Sequence, residues 1–418
     1  MTLLRIAFKS ARFRRTSLLL TVVSIAISVT LLLGVDVVRK EAKGSFLNTI
    51  SETDLIVGAR SGPTNLLLYS VFHIGNATNN VTWDSYQEIA GRDEVAWTVP
   101  ISLGDSHRGF RVMGTTEDYF DFYQYGNKQA LSFDKGAAFD GVYDAVLGSD
   151  VARDLGYEIG DEVILSHGLV SVDFAAHDDK PFTVVGILDR TGTPVDRTLQ
   201  VSLAGIEAIH IDYQGGTRSA LTLDAEQALR FDLTPTSITA FMVGLENRAV
   251  TFRLQRDIND YAGEPLSAII PGATLAEFWR SIATIEQVLF VLSGFVLVAG
   301  LLGMLTTILS TLNERRREIA VLRAIGARPT SVVLLIVLET LVVVTAGCAL
   351  GVALLYGLLA VSKGLVARRF GVDLTLSWLD TTQGAILLAV VLGATIVSLI
   401  PGFIAYRRSI QDGLAIRL

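Results

Sequence analysis

Four stretches of the chain lack the alternation of apolar and polar positions that marks a half-buried strand or an amphipathic helix. Thr16 to Val35, Gln287 to Asn313 and Thr381 to Tyr406 carry no charge, and Pro329 to Ser362 carries only Glu339. About 20 helical residues cross a hydrocarbon core of about 30 Å. Each run is long enough, so the pattern predicts four transmembrane helices. The second and third have residues to spare for tilt or for extension beyond the bilayer. The basic start (Arg5, Lys9, Arg12, Arg14, Arg15) resembles that of a signal peptide. The apolar run that follows is too long, however, and "GVDVVRKEAKG" succeeds it without a close small-x-small cleavage site, so the first run reads as a retained anchor.

Residues 39 to 282 have a different texture. Short β-rich runs alternate with helical ones, and turn signals are frequent. "PFTVVGIL" (181–188), "DAVLGS" (144–149), "DEVILSHG" (161–168) and "ITAFMVGLE" (238–246) predict strands. "WDSYQEIAG" (83–91) predicts a short helix closed by glycine. "GSDVARDLGY" predicts another, with Ser149 or Asp150 as N-cap and Gly156 near its end. Residues 39 to 55 would prolong the first span as a stalk. Residues 263 to 282 would form a helical lead into the second, broken at Pro271 and Gly272. The stretch 54–80 places Leu66, Leu67, Leu68, Tyr69, Val71 and Phe72 outside the membrane. It is either a buried element of the domain or an apolar contact surface.

Charge orients this arrangement. Residues 39 to 282 hold 34 acids and 19 bases, and the remainder holds 8 acids and 16 bases. Residues 1 to 15 hold five bases and no acid, residues 312 to 328 hold five bases and two acids, and the tail has Arg407, Arg408 and Arg417 against Asp412. Lys and Arg near span ends favour the cytoplasmic side. Both termini and the 312–328 loop then face the cytoplasm. The short 363–380 connection falls outside with Lys363, Arg368 and Arg369, a mild conflict outweighed by the other three segments. The expected fold class is an α-helical membrane protein with four transmembrane helices and a mixed α+β extracytoplasmic domain inserted between helices 1 and 2. The divisions are 1–38, 39–282 and 283–418, and the location is the cell inner membrane. Half the residues are hydrophobic and 18% are charged, too apolar for an ordinary soluble protein.

Candidate chemistry is sparse. No G-x-x-x-x-G-K-[ST] loop, G-x-S-x-G elbow, H-E-x-x-H or C-x-x-C occurs. The chain is therefore not expected to bind ATP by a phosphate loop, and no catalytic residue or cofactor is assigned. The five histidines (His73, His107, His167, His177, His210) are scattered. His177 beside Asp178 and Asp179 would suit a metal, but a solvated acidic loop is the simpler reading, and no metal ligand is assigned. Cys348, the only cysteine, lies in the third apolar run and excludes an intrachain disulfide.

The remaining signal is "NERRREIAVLRAIGARP" (313–329). On a helix, Ile319, Val321, Leu322 and Ile325 share one face, with Arg316 and Arg323 opposite. Glu314 can pair with Arg317, and Glu318 with Arg315, at helical spacing. Gly326 ends the helix and Pro329 starts the next. Such a basic amphipathic helix either rests on anionic lipid or seats in a groove of a cytoplasmic protein. In the third span, Gly347 and Gly351 have the small-xxx-small spacing of close helix contact. Glu339 is an acid within an apolar span. It reads first as a structural interhelical hydrogen bond.

Residues 313–359 closely resemble the signature of the FtsX/MacB-like permease family of ABC transporters, the type VII or mechanotransmission class. The pattern is basic-basic-x-E-I-x-x-x-R-A-x-G-A, filled here by Arg316, Arg317, Glu318, Ile319, Arg323, Ala324, Gly326 and Ala327. "PGFIAYRRSIQDGLAIRL" resembles the family's C-terminal P-x-x-x-A-x-R, with Asp412 and Gly413 where proline is frequent and "AIR" replacing "ALR". "VLGSDVARDLGYEIGDEVIL" and "PFTVVGIL" resemble its periplasmic domain. The resemblance implies a non-catalytic permease subunit paired with a second permease subunit, identical or related, and bound to a separate ATP-binding subunit. It makes 313–328 the coupling helix, with Glu314, Arg315, Arg316, Arg317, Glu318, Ile319, Leu322, Arg323, Ala324, Ile325, Gly326 and Ala327 as the contact residues. ATP-driven closure inside would move the periplasmic domain, which acts on a lipoprotein, lipid, peptide or other envelope cargo, with or without a periplasmic adaptor. Membrane lipids are a partner; nucleic acid is not. The competing reading is a membrane-anchored sensor or scaffold without an ATPase.

Overall fold

A computed structural model describes residues 15–167, 177–214, 217–218, 223–314, 321, 326–370 and 378–414. The four apolar runs lie in four long helices: α1 (Arg15–Leu47), α2 (Pro271–Glu314), α3 (Pro329–Phe370) and α4 (Thr381–Leu414). Each is long and apolar enough to cross a membrane. The chain divides into two compact units. One comprises Met1–Glu41, Ile282–Leu365 and Leu374–Leu418; the other comprises Ala42–Ser281 and Val366–Asp373.

The second unit is a mixed α/β domain built on a sheet of 11 strands. Nine form its main path: β1 (Leu55–Ala59), β2 (Val95–His107), β3 (Phe110–Thr115), β4 (Phe133–Gly136), β5 (Asp144–Leu147), β6 (Phe182–Leu188), β7 (Thr198–Ser202), β8 (Ala240–Leu245) and β9 (Leu266–Ile269). Their spatial order is β9-β1-β8-β2-β3-β7-β5-β6-β4. The β9-β1-β8-β2 side is antiparallel; on the other, β3–β7 and β5–β6 pair in parallel. Parallel neighbours need a crossover connection, and burial on both faces makes their strands continuously apolar. β5 and β7 are accordingly almost wholly buried. β2 is 13 residues long and belongs to both sides, because its first half pairs with β8 and its second half with β3.

Three expectations are corrected here. Leu266–Ile269 is not part of a helical lead; it is β9, paired with β1 from Ile56↔Ile269 to Ala59↔Leu266. Pro271 does not break a helix but begins α2, where its missing N–H removes no hydrogen bond. The helix Ser149–Leu155 is capped by Gly148, with neither Ser149 nor Asp150 in that place. A Cβ at Gly148 would lie 2.2 Å from the Val195 carbonyl oxygen, so the close approach of two backbones fixes glycine there. At the other end Gly156 closes the helix in the left-handed region, φ +73°.

Most apolar residues of the 54–80 stretch are core, although Ile74 is exposed. The stretch forms β1 and the helix Pro63–Ser70, and Leu66, Leu67, Tyr69, Val71 and Phe72 are all buried. They pack with Ile56, Ala240, Ile269 and Leu275. Their burial overturns the contact-surface reading.

Candidate functional site

The basic segment joins α2, whose last residue is Glu314, to α3, whose first is Pro329. Arg315, Arg316, Arg317, Glu318, Ile319, Leu322, Arg323, Ala324 and Ile325 lie outside the described residues. Val321 is helical and exposed. Gly326 takes φ +96°, a conformation that suits glycine, and Ala327 follows it half-buried. The Ser331 N–H then donates to the Arg328 carbonyl at 2.9 Å as α3 starts.

The helices of the first unit meet through small residues. A Cβ on Gly347 would lie 2.8 Å from Ile25 Cγ2, and one on Gly351 would lie 2.8 Å from the Ala26 carbonyl oxygen and 2.9 Å from Val29 Cβ. α1 and α3 therefore pack closely at two successive turns. The Thr30 hydroxyl adds an interhelical hydrogen bond to the Gly351 carbonyl, 2.9 Å. Gly300 of α2 faces Ser24 and Ser28 of α1 in the same manner, and the Ser28 hydroxyl reaches the Val296 carbonyl at 3.4 Å. Without water to drive association, close packing and such hydrogen bonds hold membrane helices together.

Glu339 lines a small cavity with Ser17, Thr21, Met304, Thr307 and Thr340. The Thr21, Thr307 and Thr340 hydroxyls each donate to a carbonyl one turn back in their own helix. The acid thus stands among α1, α2 and α3, near the N-terminal end of α1.

A polar cluster lies further along α1, where its apolar run ends. Asp36, almost fully buried, accepts from Lys40 at 2.7 Å and from Arg39 at 3.4 Å. Lys40 also binds Asp380, and Arg39 lies 4.0 Å from Glu286 of α2. Gln383 of α4 donates to Asp36 at 3.4 Å. Asp380 caps α4 by accepting from the Gln383 N–H at 2.8 Å, and Gln383 returns the bond. The hydrogen bond from Lys40 holds the Asp380 carboxyl below the usual carboxylate range. Sequence reasoning missed this cluster. Its signal was the charge immediately flanking the apolar runs, with Asp36 after Val35 and Asp380 before Thr381.

Within the second unit, Phe46 near the end of α1 lies tilted against Phe72 with ring centroids 4.4 Å apart. It also meets Phe278 and Trp279 near the start of α2 at 6.1 and 5.6 Å. The two helices bounding the inserted domain are thus locked together by aromatic contacts, each worth about 0.5–1.5 kcal/mol beyond area burial.

The family model for the FtsX-like permease C-terminal matches residues 290–412, and that for the MacB-like periplasmic core domain matches residues 18–261. Among solved structures, the periplasmic region of MacB from Actinobacillus actinomycetemcomitans is 12% identical, over 56% of this chain and 94% of that one, with a TM-score of 0.33. The extracellular domain of the noncanonic ABC-type transporter YknZ from Gram-positive bacteria is 14% identical, over 52% of this chain and 99% of that one, with a TM-score of 0.30. No curated protein matches the sequence.

Proposed function

The chain belongs to the FtsX/MacB-like family of ABC transporter permeases, and we propose that it is the subunit through which a separate ATPase moves the inserted domain. The observation that carries this reading is the family assignment itself, with the permease model over residues 290–412 and the periplasmic-domain model over 18–261. In this proposal the energy is supplied by a separate ATP-binding chain. The basic segment 313–328 is the docking element in this proposal. Its arginines meet acidic rims of the ATPase, and the Ile319, Leu322 and Ile325 face seats in a groove. The charge distribution supports a cytoplasmic position for this segment and for both termini, with the acidic inserted domain on the opposite, periplasmic side of the inner membrane.

Movement reaches the domain through α1 and α2. The boundary between the two units falls inside both helices and interrupts neither. The Phe46–Phe278–Trp279 contacts then join the pair within the domain. No solute path is part of the proposal; the work is mechanical, on a lipoprotein, lipid, peptide or other envelope cargo. α2 offers an exposed apolar face that includes Phe290 and Phe295, 50% and 67% exposed, for lipid or a second permease subunit.

The test is copurification of the detergent-extracted protein with its ATPase. Arg316→Glu with Arg323→Glu, and separately Leu322→Pro, are expected to abolish recruitment while membrane insertion persists. Wild-type recruitment in both variants overturns the docking role. Failure of any ATPase to accompany the native protein returns the membrane-anchored sensor or scaffold.

A further inference from the structure

The inserted domain gathers three metal-ligating side chains from distant parts of the chain. Asp105 lies near the end of β2, His177 precedes β6, and His210 is the last residue of the helix Leu203–His210. One donor atom of each lies within 4.8 Å of the other two. His210 Nε2 is 3.5 Å from Asp105 Oδ1, and the two imidazoles meet edge to face with centroids 5.5 Å apart. We propose that Asp105, His177 and His210 form a binding site for a divalent transition metal, of which Zn2+ is the representative.

The fold places these groups deliberately. Ser166 and His167 pair by backbone with Ser106 and Asp105 of β2, and the His177 N–H donates to the Leu165 carbonyl at 2.9 Å. This returns His177 to the strand that carries Asp105. The helix ending at His210 sits hard on the sheet, because a Cβ at Gly114 would lie 2.6 Å from Ile206 and one at Gly205 would lie 2.4 Å from the Val142 carbonyl oxygen. A buried ion pair then clamps the two histidine segments together. Lys180 Nζ, three residues beyond His177, binds Asp212, two residues beyond His210, at 2.8 Å, and both side chains are shielded from solvent.

An Asp–His pair would account for Asp105 and His210 alone. His177 adds a second imidazole, fully buried, with a ring nitrogen within 4.8 Å of a donor atom of each of the other two. Convergence of three donors on one point is what a metal requires. In a tetrahedral zinc site with bonds of about 2.0–2.1 Å, neighbouring donors stand about 3.4 Å apart. The Asp105–His210 separation of 3.5 Å already matches that spacing, and the other donor separations are within 4.8 Å. Two imidazoles and one carboxylate suit zinc and its neighbours, whereas calcium and magnesium demand oxygen donors. The His210 side chain is 30% exposed, against 4% for Asp105, so a fourth position opens toward solvent on the His210 side. The metal would tie the chain ahead of β6 to β2 and to the helix on the sheet.

The experiment uses the full-length protein in detergent, stripped with chelator, loaded with Zn2+ and freed of excess by gel filtration. One zinc per chain is expected, undisturbed by Ca2+. His177→Gln and His210→Gln are each expected to weaken binding by more than about 100-fold. His107→Gln is the control, because that imidazole is engaged by Tyr157 and the Ile164 carbonyl. At a hundredfold excess over Kd, zinc should raise the melting temperature of the wild-type domain by about 5–10 °C and leave His210→Gln unmoved. Absence of retained zinc in the wild type overturns the proposal, as does equal retention by the His177→Gln/His210→Gln double variant. Should those variants fail to fold, X-ray absorption on the loaded wild type decides: a shell with two imidazoles supports the site, and one without them overturns it.

Discussion

His73 shows how one side chain can set a pH dependence. It sits in the left-handed region at φ +54°, and its Nδ1 lies 2.9 Å from the Thr198 hydroxyl. Burial, with the nearby Arg111 charge as a smaller cause, pushes its pKa down to about 4. The unfolded chain takes up that proton near pH 6.5. Between those values the unfolded state binds more protons, so stability rises with pH. The contribution is complete above about 6.5 and is lost as the pH falls through about 4. Melting the protein between pH 4 and 7 should show this loss, and His73→Gln should flatten the slope. It should not abolish it, because burial also lowers the His107 pKa. An unchanged slope in His73→Gln would contradict the assignment. Gly351 supports a second residue-scale prediction. Gly351→Val drives a side chain into the Ala26 carbonyl and Val29, and overpacking of this kind costs about 1–3 kcal/mol. Gly357→Ala is the matched control, since nothing lies within 4 Å of a Cβ there. Thermal unfolding in detergent should separate the two. Residues of this kind were unevenly legible in the sequence. The Gly347–Gly351 spacing could be read directly, because both glycines lie on one helix. His177 suggested only its neighbours Asp178 and Asp179, because Asp105 and His210 come to it through sheet pairing and helix packing over long separations.

At the scale of elements, the membrane helices were legible because their signal is local: length and an absence of charge. Strands with short apolar runs, such as β5, β6 and β8, were legible for the same reason. β9 was not. Its four residues stand between a Gly-Glu-Pro turn and Pro271–Gly272, and what makes them a strand is β1, far away in the chain. The aromatic lock was equally hidden, because Phe46, Phe72 and the Phe278–Trp279 pair belong to three separate segments. If that lock transmits motion, Phe46→Ala should leave ATPase recruitment and hydrolysis intact. The nucleotide-dependent distance change between spin labels in the inserted domain should shrink. An undiminished change would assign transmission elsewhere.

At the scale of the molecule, the division of charge agrees with the division of labour. The residues outside 39–282 are basic, and the inserted domain is acidic. The family assignment accounts for four apolar helices with a domain between the first two. The central claim is that a nucleotide-hydrolysing partner grips the segment between α2 and α3. Its most direct measurement places a photo-crosslinking residue at Leu322 in the native membrane and identifies the adduct. The account predicts a covalent adduct with a chain carrying a nucleotide-binding site, formed from the cytoplasmic side. Adducts with lipid alone, or with a protein reached from the opposite side, would contradict it.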